Sequence, residues 1–181
     1  MKKLSSYILV ILIVMLATGC TVTANTVVTP LYHGKSLSVG VVGEAPKVRE
    51  EHVSFTSISF EELEEYAKLS ADYDAVFIMK EHLSEAAENK YAKVYKKAGI
   101  PFYFIGSTKS FMPFVTEKLS YEDISDTHSG MYITGYLQTG ETYKTWGYGL
   151  YKDIVNEPNI KDAYSRVFTT IASIENGTVI E

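Results

Sequence analysis

Two short, continuously apolar segments separated by a helical stretch constrain the fold of this chain most strongly. Ala75–Met79 and Phe102–Ile105 contain almost only large apolar side chains, as do strands of a sheet that is covered on both faces. Between them, apolar residues recur at helical spacing from Leu83 to Ala98, and Gly99 is placed to end that helix in a left-handed conformation. The alternation of strand, helix and strand predicts a parallel sheet with right-handed crossovers.

Two further strands are predicted before this unit. Leu37–Val42 is mostly apolar, whereas Val53–Ile58 alternates apolar with polar residues and should have one wet face or lie at an edge. Ser59 and Glu62 then form the capping box of a helix. The connection Glu44–Glu51 is too short to hold a crossover helix, so the sequence leaves open an irregular crossover or an antiparallel edge.

Two aromatic-rich segments later in the chain have the pattern of a β-hairpin. Met131–Leu137 and Thr142–Tyr148 flank a short polar stretch, in which Thr139–Gly140 suits a two-residue turn. This turn would pair Tyr136 with Tyr143, and Ile133 with Trp146. Tyrosine and tryptophan favour positions with one buried and one wet end, including binding faces. Tyr136, Tyr143 and Trp146 are therefore a candidate interaction face, with simple sheet packing as the alternative.

The last strong pattern is an apolar stripe from Ile160 to Ile174, which predicts a C-terminal amphipathic helix. Asn159 is placed to cap this helix and Gly177 to end it. The predicted fold is α/β: a three-layer sandwich with a mostly parallel central sheet, a late β-hairpin and a C-terminal amphipathic helix. The strand near residue 53 lies at one edge, and the hairpin either extends the sheet or covers one face.

The segment Met1–Cys20 has the form of an export signal. Two lysines precede the apolar run Tyr7–Leu16, which is too short to cross about 30 Å of hydrocarbon as a helix. Ala17-Thr18-Gly19 then leads into Cys20, the single cysteine of the chain. The alternatives are an ordinary secretory signal that happens to end near a cysteine and a short uncleaved anchor.

Residues Ala17 to Cys20 resemble the lipobox of bacterial lipoproteins, with Ala17 where that family usually has leucine. The resemblance implies that the peptide is cut before Cys20, that the Cys20 thiol carries a diacylglycerol, and that the new amine is acylated, for instance by palmitate. It implies a signal peptide at 1–19, a lipidated tether at 20–35 and a single domain at 36–181 on the extracytoplasmic face of the cell membrane. In plan the chain is similar to small uncharacterised lipoproteins of Gram-positive bacteria.

Size and charge limit the partners that this chain can have. Without the 19 signal residues, 162 of the 181 remain, which is about one domain. That domain resembles one lobe of a solute-binding protein, a family that usually closes two lobes around its ligand. The net charge of −5 becomes −7 when the two signal lysines are removed. Nucleic acid is not an expected partner because no basic patch is present. Because an acidic domain is not attracted to anionic headgroups, we expect the acyl chains alone to attach the protein to the membrane.

The loops after the first, third and fourth strands supply a candidate ligand site. The carboxyl ends of parallel strands share one edge of an open sheet, where ligands usually bind. The candidate residues are Glu44, Lys80, His82, Ser107, Thr108 and Lys109. Gly40 and Gly43 lack the lysine and helix of a phosphate-binding loop, and the histidines are not spaced as zinc ligands. We therefore predict no metal site and no cofactor.

These features predict a non-enzymatic, membrane-anchored lipoprotein that binds a small ligand or an envelope protein. The alternative is an extracytoplasmic hydrolase that uses the rim near His82 and Ser107, although the chain has no G-x-S-x-G motif. A structural or immunity-type lipoprotein without a small ligand is the third hypothesis.

Overall fold

The sheet is the centre of the structure, a computed structural model that describes residues 25–27, 29–127 and 130–175. Its strands follow the order β2-β1-β3-β4-β5-β6. Their bounds are β1 Leu37–Val42, β2 Val53–Ser57, β3 Ala75–Ile78, β4 Phe102–Ile105, β5 Met131–Thr139 and β6 Thr142–Gly149. Strands β1 to β4 are parallel, and β5 pairs antiparallel with β4 and β6. The prediction of a mixed α/β fold with a mostly parallel sheet is confirmed.

Six α-helices lie within the described residues. They are α1 Phe60–Glu64, α2 Tyr66–Asp72, α3 Leu83–Ala86, α4 Asn89–Lys97, α5 Met112–Val115 and α6 Glu157–Glu175. The capping box at the start of α1 is confirmed, since Ser59 and Glu62 each accept a hydrogen bond from the other's backbone N–H. Each of the two helices predicted between the strands is broken in the middle, at Glu65 and at Ala87–Glu88.

Two apolar cores lie on opposite faces of the sheet because neighbouring side chains of a strand alternate in direction. On β3, Val76 and Ile78 join the core under α1 to α5, whereas Ala75 and Phe77 join the core under α6. The Phe77 ring stacks on Phe168 of α6, with centroids 6.2 Å apart and planes 7° apart. The C-terminal helix predicted from the apolar stripe is therefore confirmed, and it packs on the sheet.

The connection between β1 and β2 is an irregular crossover, because the two strands are parallel. It runs on the α6 side of the sheet, where Val48 packs against the core under α6. The Arg49 guanidinium donates to Ser165 Oγ of α6 at 2.6 and 3.1 Å, and Ser165 in turn donates to the buried Glu50 carboxylate. These polar contacts fasten a connection that has no helix of its own.

The predicted register between β5 and β6 is wrong, because the turn lies one residue later in the chain. Gly135 is opposite Trp146, and Gln138 is opposite Tyr143, so the two turn residues are Gly140 and Glu141. Gly140 has a φ of 60°. A type II′ turn requires glycine at its first central position, and Gly140 therefore begins the turn instead of ending it.

The segment that precedes β1, within the predicted tether at 20–35, is packed on the domain over residues 25–27 and 29–35. We call these residues the N-terminal strap. The strap runs along α6 from its first turn, and Tyr32 is buried. The Val27 N–H donates to Asn159 Oδ1 at 3.3 Å, and the Thr29 N–H donates to Asp162 Oδ1 at 2.6 Å. The Tyr32 ring packs near Phe168, with ring centroids 6.4 Å apart. Cys20 lies outside the described residues.

Candidate ligand-binding cleft

The chain leaves the neighbouring strands β1 and β3 toward opposite faces of the sheet. After β1 it crosses the α6 side, and after β3 it turns to α3 and α4 on the other side. In open α/β sheets this divergence is a topological switch point, and ligands bind in the crevice that it opens at the carboxyl ends of the strands. The structure has a cleft of about 440 Å³ at this position.

Three segments line the cleft. They are residues 44–47 after β1, Met79 and Glu81 after β3, and Val155, Asn156, Glu157, Ile160, Lys161 and Tyr164 at the start of α6. Met79 and Ile160 are half-buried and apolar, and Tyr164 is buried below them with its ring stacked on Phe77. The cleft thus has an apolar floor and a charged rim.

Gly43 allows the two loops on either side of the cleft to approach each other. Its φ is 113°, and a Cβ there would lie 2.8 Å from Met79 Cβ and 2.9 Å from Glu81 Oε1. Residues with a side chain rarely adopt such a φ, and Cβ atoms are not found so close to other atoms. The glycine is required by the shape of the cleft, and no phosphate-binding motif is needed to explain it.

The start of α6 is fixed by two asparagines. Asn156 Oδ1 accepts the backbone N–H of Asn159 at 2.9 Å, which is the bond that an N-cap side chain makes. The prediction that Asn159 caps the helix is therefore wrong. Asn159 is instead buried, and its Nδ2 donates to the carbonyls of Asn25 and Ile154 at 3.1 and 3.0 Å. It joins the strap to the loop that precedes the helix.

Carboxylates outnumber ammonium groups on the rim of the cleft. Glu157 and Lys161 form an ion pair of 2.7 Å on successive turns of α6, and the hydrogen bond from Lys161 lowers the pKa of Glu157. Glu44, Lys47 and Glu81 make up the rest of the charged rim. Burial raises the pKa of the Tyr164 hydroxyl, which therefore stays neutral at the base of the cleft.

Of the residues predicted after β1 and β3, the structure places only Glu44 in the cleft. Lys80 packs against the carboxyl end of β4, where a Cβ on Gly106 would lie 2.9 Å from Lys80 Cβ. His82 is half-buried, with its ring edge-on to Phe60 at 5.9 Å. Neither residue lines the cleft, although both lie on the loop beside it.

Ser107, Thr108 and Lys109 belong to a different local structure, outside the cleft. Ser107 is buried, and its Oγ is bonded to the backbone N–H and carbonyl of Lys109 and to Tyr121. Thr108 Oγ1 donates to Asp126, and Lys109 Nζ donates to the carbonyl of Ile124. These bonds hold the loop that follows β4. His82 is not among the partners of Ser107, so the structure brings no nucleophile and base together there.

The three aromatic residues proposed as an interaction face do not share one face of the sheet. Tyr136 is buried and Tyr143 is 57% exposed, and their rings stack at 5.9 Å on one side. Trp146 packs toward the core under α6, where it stacks on Tyr103 at 6.3 Å. Because Tyr143 and Trp146 are three residues apart on one strand, their side chains point in opposite directions.

Sequence reasoning missed the contribution of α6 to the cleft. The signal was present, because Asn156-Glu157-Pro158 has an N-cap residue, an early acidic residue and a proline in the first turn of a helix. What the pattern does not reveal is that this end of the helix lies beside the switch point.

Comparisons with protein-family models, curated proteins and solved structures gave no match. Within residues 25–27, 29–127 and 130–175, no helix combines the length and hydropathy that a membrane span needs. In the same part of the chain, no three histidine, cysteine, aspartate or glutamate side chains converge to hold a metal ion.

Proposed function

We propose that this chain is a non-enzymatic lipoprotein, acylated at Cys20, that displays a ligand-binding domain on the extracytoplasmic face of the cell membrane. The proposal includes a three-layer α/β sandwich as the fold of this domain, in which the β5–β6 hairpin extends the sheet. The attachment is supported by the lipobox-like residues Ala17 to Cys20. The binding function rests on one observation, the cleft at the switch point between β1 and β3.

The cleft suits a small organic ligand with an apolar body and an amino group. Its volume of about 440 Å³ falls within the range of ligand pockets. Met79 and Ile160 offer apolar contacts. Because Lys161 is paired with Glu157, the remaining charged residues of the lining are two carboxylates, Glu44 and Glu81, and one ammonium group, Lys47. The balance of charge favours a ligand that is cationic or zwitterionic.

The hydrolase alternative has less support than ligand binding. A serine nucleophile needs an accessible hydroxyl and a base within hydrogen-bond reach. Ser107 is buried, and its hydroxyl bonds within its own loop. A second envelope protein as partner is also less supported, because Trp146 and Tyr143 lie on opposite faces of the sheet.

Attachment is tested by feeding cells a radiolabelled fatty acid and separating their membranes. We expect the wild-type protein to carry label and to sediment with the membranes. Cys20→Ser should lose the label and leave the membrane fraction, while Ser36→Ala, a change at an exposed residue, should behave as wild type. Membrane-bound but unlabelled wild-type protein would contradict the proposal.

Ligand binding is tested by an NMR fragment screen against amines, amino acids and short zwitterionic peptides. We expect hits to shift the backbone resonances of residues 44–47, 79–81 and 155–161. Ala45→Trp fills the mouth of the cleft and should abolish these shifts, whereas Ala71→Trp, at an exposed site on α2, should preserve them. If no compound shifts these resonances, or if Ala45→Trp leaves the shifts intact, the cleft is not the binding site.

A further inference from the structure

The N-terminal strap brings the chain to the first turn of α6, beside the mouth of the cleft. The carbonyl of Asn25 accepts hydrogen bonds from the side-chain amides of Asn156 and Asn159 at 3.3 and 3.1 Å. From there the strap runs toward the middle of α6, where Thr29 is bonded to Asp162. The residue closest to Cys20 that has described contacts therefore lies at the N-terminal end of this helix.

The covalent distance from Cys20 to this point is short. Four residues separate Cys20 from Asn25, and the five fully extended Cα–Cα steps between them reach at most about 18 Å. The α6 helix has 19 residues, and a helix of that length extends for about 28 Å. An anchor at Cys20 can therefore hold the first turn of α6 near the bilayer, whereas the far end of the helix lies beyond its reach.

The surface at this end of the molecule exposes apolar side chains. Val27 is 37% exposed, Tyr151 is 36% exposed and Val155 is 70% exposed. They are three of the six large apolar side chains that are exposed among the described residues. All three lie around Asn159, which accepts from the Val27 N–H and donates to the carbonyls of Tyr151 and Ile154. We call Val27, Tyr151, Lys152 and Val155 the strap-end face.

We propose that the strap-end face rests on the headgroup layer of the bilayer, with the mouth of the cleft opening at the membrane surface. The inference rests on the proposed acylation of Cys20. Tyrosine and exposed aliphatic side chains favour the interfacial layer, where their apolar parts leave water. Lys152 can extend its ammonium group to the phosphates. The ligand of the cleft is then taken up at the lipid surface, because Val155 belongs both to the face and to the lining of the cleft.

Electrostatic attraction contributes little to this contact. Lys47 and Lys152 are offset by Asp153 and Glu157 in the same region, and the mature chain is acidic overall. The contact should therefore depend on the short connection and on apolar burial, and it should be nearly insensitive to salt. A contact dominated by anionic lipid would instead weaken as salt screens the charges.

The test uses the acylated protein in vesicles of phosphatidylcholine. Because acylation occupies Cys20, Val155→Cys provides a single thiol for an environment-sensitive fluorophore, and Ala71→Cys on α2 provides the matched control. We expect the emission of the fluorophore at 155 to be blue-shifted relative to that of the fluorophore at 71. Lipid that carries a nitroxide near its headgroup should quench the fluorophore at 155 at least threefold more than the one at 71. The difference should persist from 0.1 to 0.5 M NaCl. Equal quenching at the two positions would overturn the inference.

A second variant tests whether the short connection sets the orientation. Ten glycine and serine residues are inserted after Thr21 in the Val155→Cys protein, and quenching at 155 should fall by at least half. Undiminished quenching would show that the connection does not position this face. The intact mass of each sample reports acylation separately. A protein without acyl chains contradicts the proposed function, whereas an acylated protein with no excess quenching at 155 contradicts only this inference.

Discussion

The backbone N–H of Thr29 donates a hydrogen bond of 2.6 Å to Asp162 Oδ1 across 133 residues of sequence. Asp162 is 2% exposed, and its other oxygen accepts from Arg166 Nε at 3.2 Å. Arg49 Nη2 lies 4.0 Å from the same carboxylate. One buried aspartate on α6 thus joins the strap, the β1–β2 crossover and its own helix.

Removing this carboxylate should loosen all three segments. Asp162→Ala leaves the Thr29 N–H without its acceptor and removes the carboxylate that pairs with the guanidinium groups of Arg49 and Arg166, so we expect a loss of about 2–3 kcal/mol in the free energy of unfolding. Hydrogen exchange at the amide of Thr29 should accelerate by at least tenfold. Glu117→Ala, at an exposed site, is the control. Urea unfolding that gives the same free energy for both variants would show that Asp162 does not join these segments.

The close approach of β1 and β3 is tested by comparing two glycines of positive φ. Gly43 and Gly99 have φ values of 113° and 75°, but a Cβ would meet Met79 at 2.8 Å in the first case and nothing within 4 Å in the second. Gly99→Ala should cost about 1 kcal/mol from backbone strain alone. Gly43→Ala should cost about 2 kcal/mol more, because the loops beside the cleft must separate. Equal losses in urea unfolding would contradict this packing.

The opposite directions of Trp146 and Tyr143 predict different responses to truncation. Trp146 packs against Tyr103 and the core under α6, so Trp146→Ala should destabilise the fold by about 2–3 kcal/mol. Tyr143 is largely exposed, and Tyr143→Ala should cost less than about 1 kcal/mol. Thermal unfolding of the two variants distinguishes these effects. Equal and small losses would restore the hypothesis that both residues serve an interaction face.

Alkaline pH should destabilise the fold through buried tyrosines. Burial raises the pKa of Tyr148 to about 12 from an ordinary value of 10.0. Because the folded state holds the proton more tightly, this contribution to stability is complete below pH 10 and is lost as the pH rises through 12. Tyr148→Phe should make the fall in unfolding free energy between pH 10 and 12 shallower.

At neutral pH the same substitution should cost about 1 kcal/mol, because the Tyr148 hydroxyl donates to Thr170 Oγ1 at 2.7 Å. Tyr143→Phe removes a hydroxyl from a largely exposed position and serves as the control for the substitution itself. Chemical unfolding at several pH values measures both effects. A Tyr148→Phe profile as steep as that of the wild type would contradict the assignment.

The buried strands could be predicted because their sequences are dictated by their surroundings. Ala75–Ile78 and Phe102–Ile105 are covered on both faces, and an uninterrupted apolar run of four residues is typical of a strand in that position. Glu44 was placed near the cleft by topology alone, since it follows a parallel strand. Lys80 and His82 lie on the loop after β3 that borders the cleft, but they do not line it, and the loop with Ser107, Thr108 and Lys109 forms its own hydrogen bonds.

The strap and the turn between β5 and β6 could not be predicted for two different physical reasons. The strap is held by backbone N–H groups bonded to side chains more than 130 residues away, and such bonds leave no periodicity in the sequence. In the turn, Thr139–Gly140 and Gly140–Glu141 differ by one residue, and only the sign of φ at each position decides between them. Local composition fits both registers.

The most direct test of the proposed anchoring is the mass of the N-terminal peptide of the protein isolated from its native membranes. We predict a peptide that begins at Cys20 and carries a diacylglyceryl group on the thiol, with or without a further acyl chain on the amine. A peptide that begins elsewhere, or one in which Cys20 carries a free thiol, would contradict the assignment of this chain as a lipoprotein.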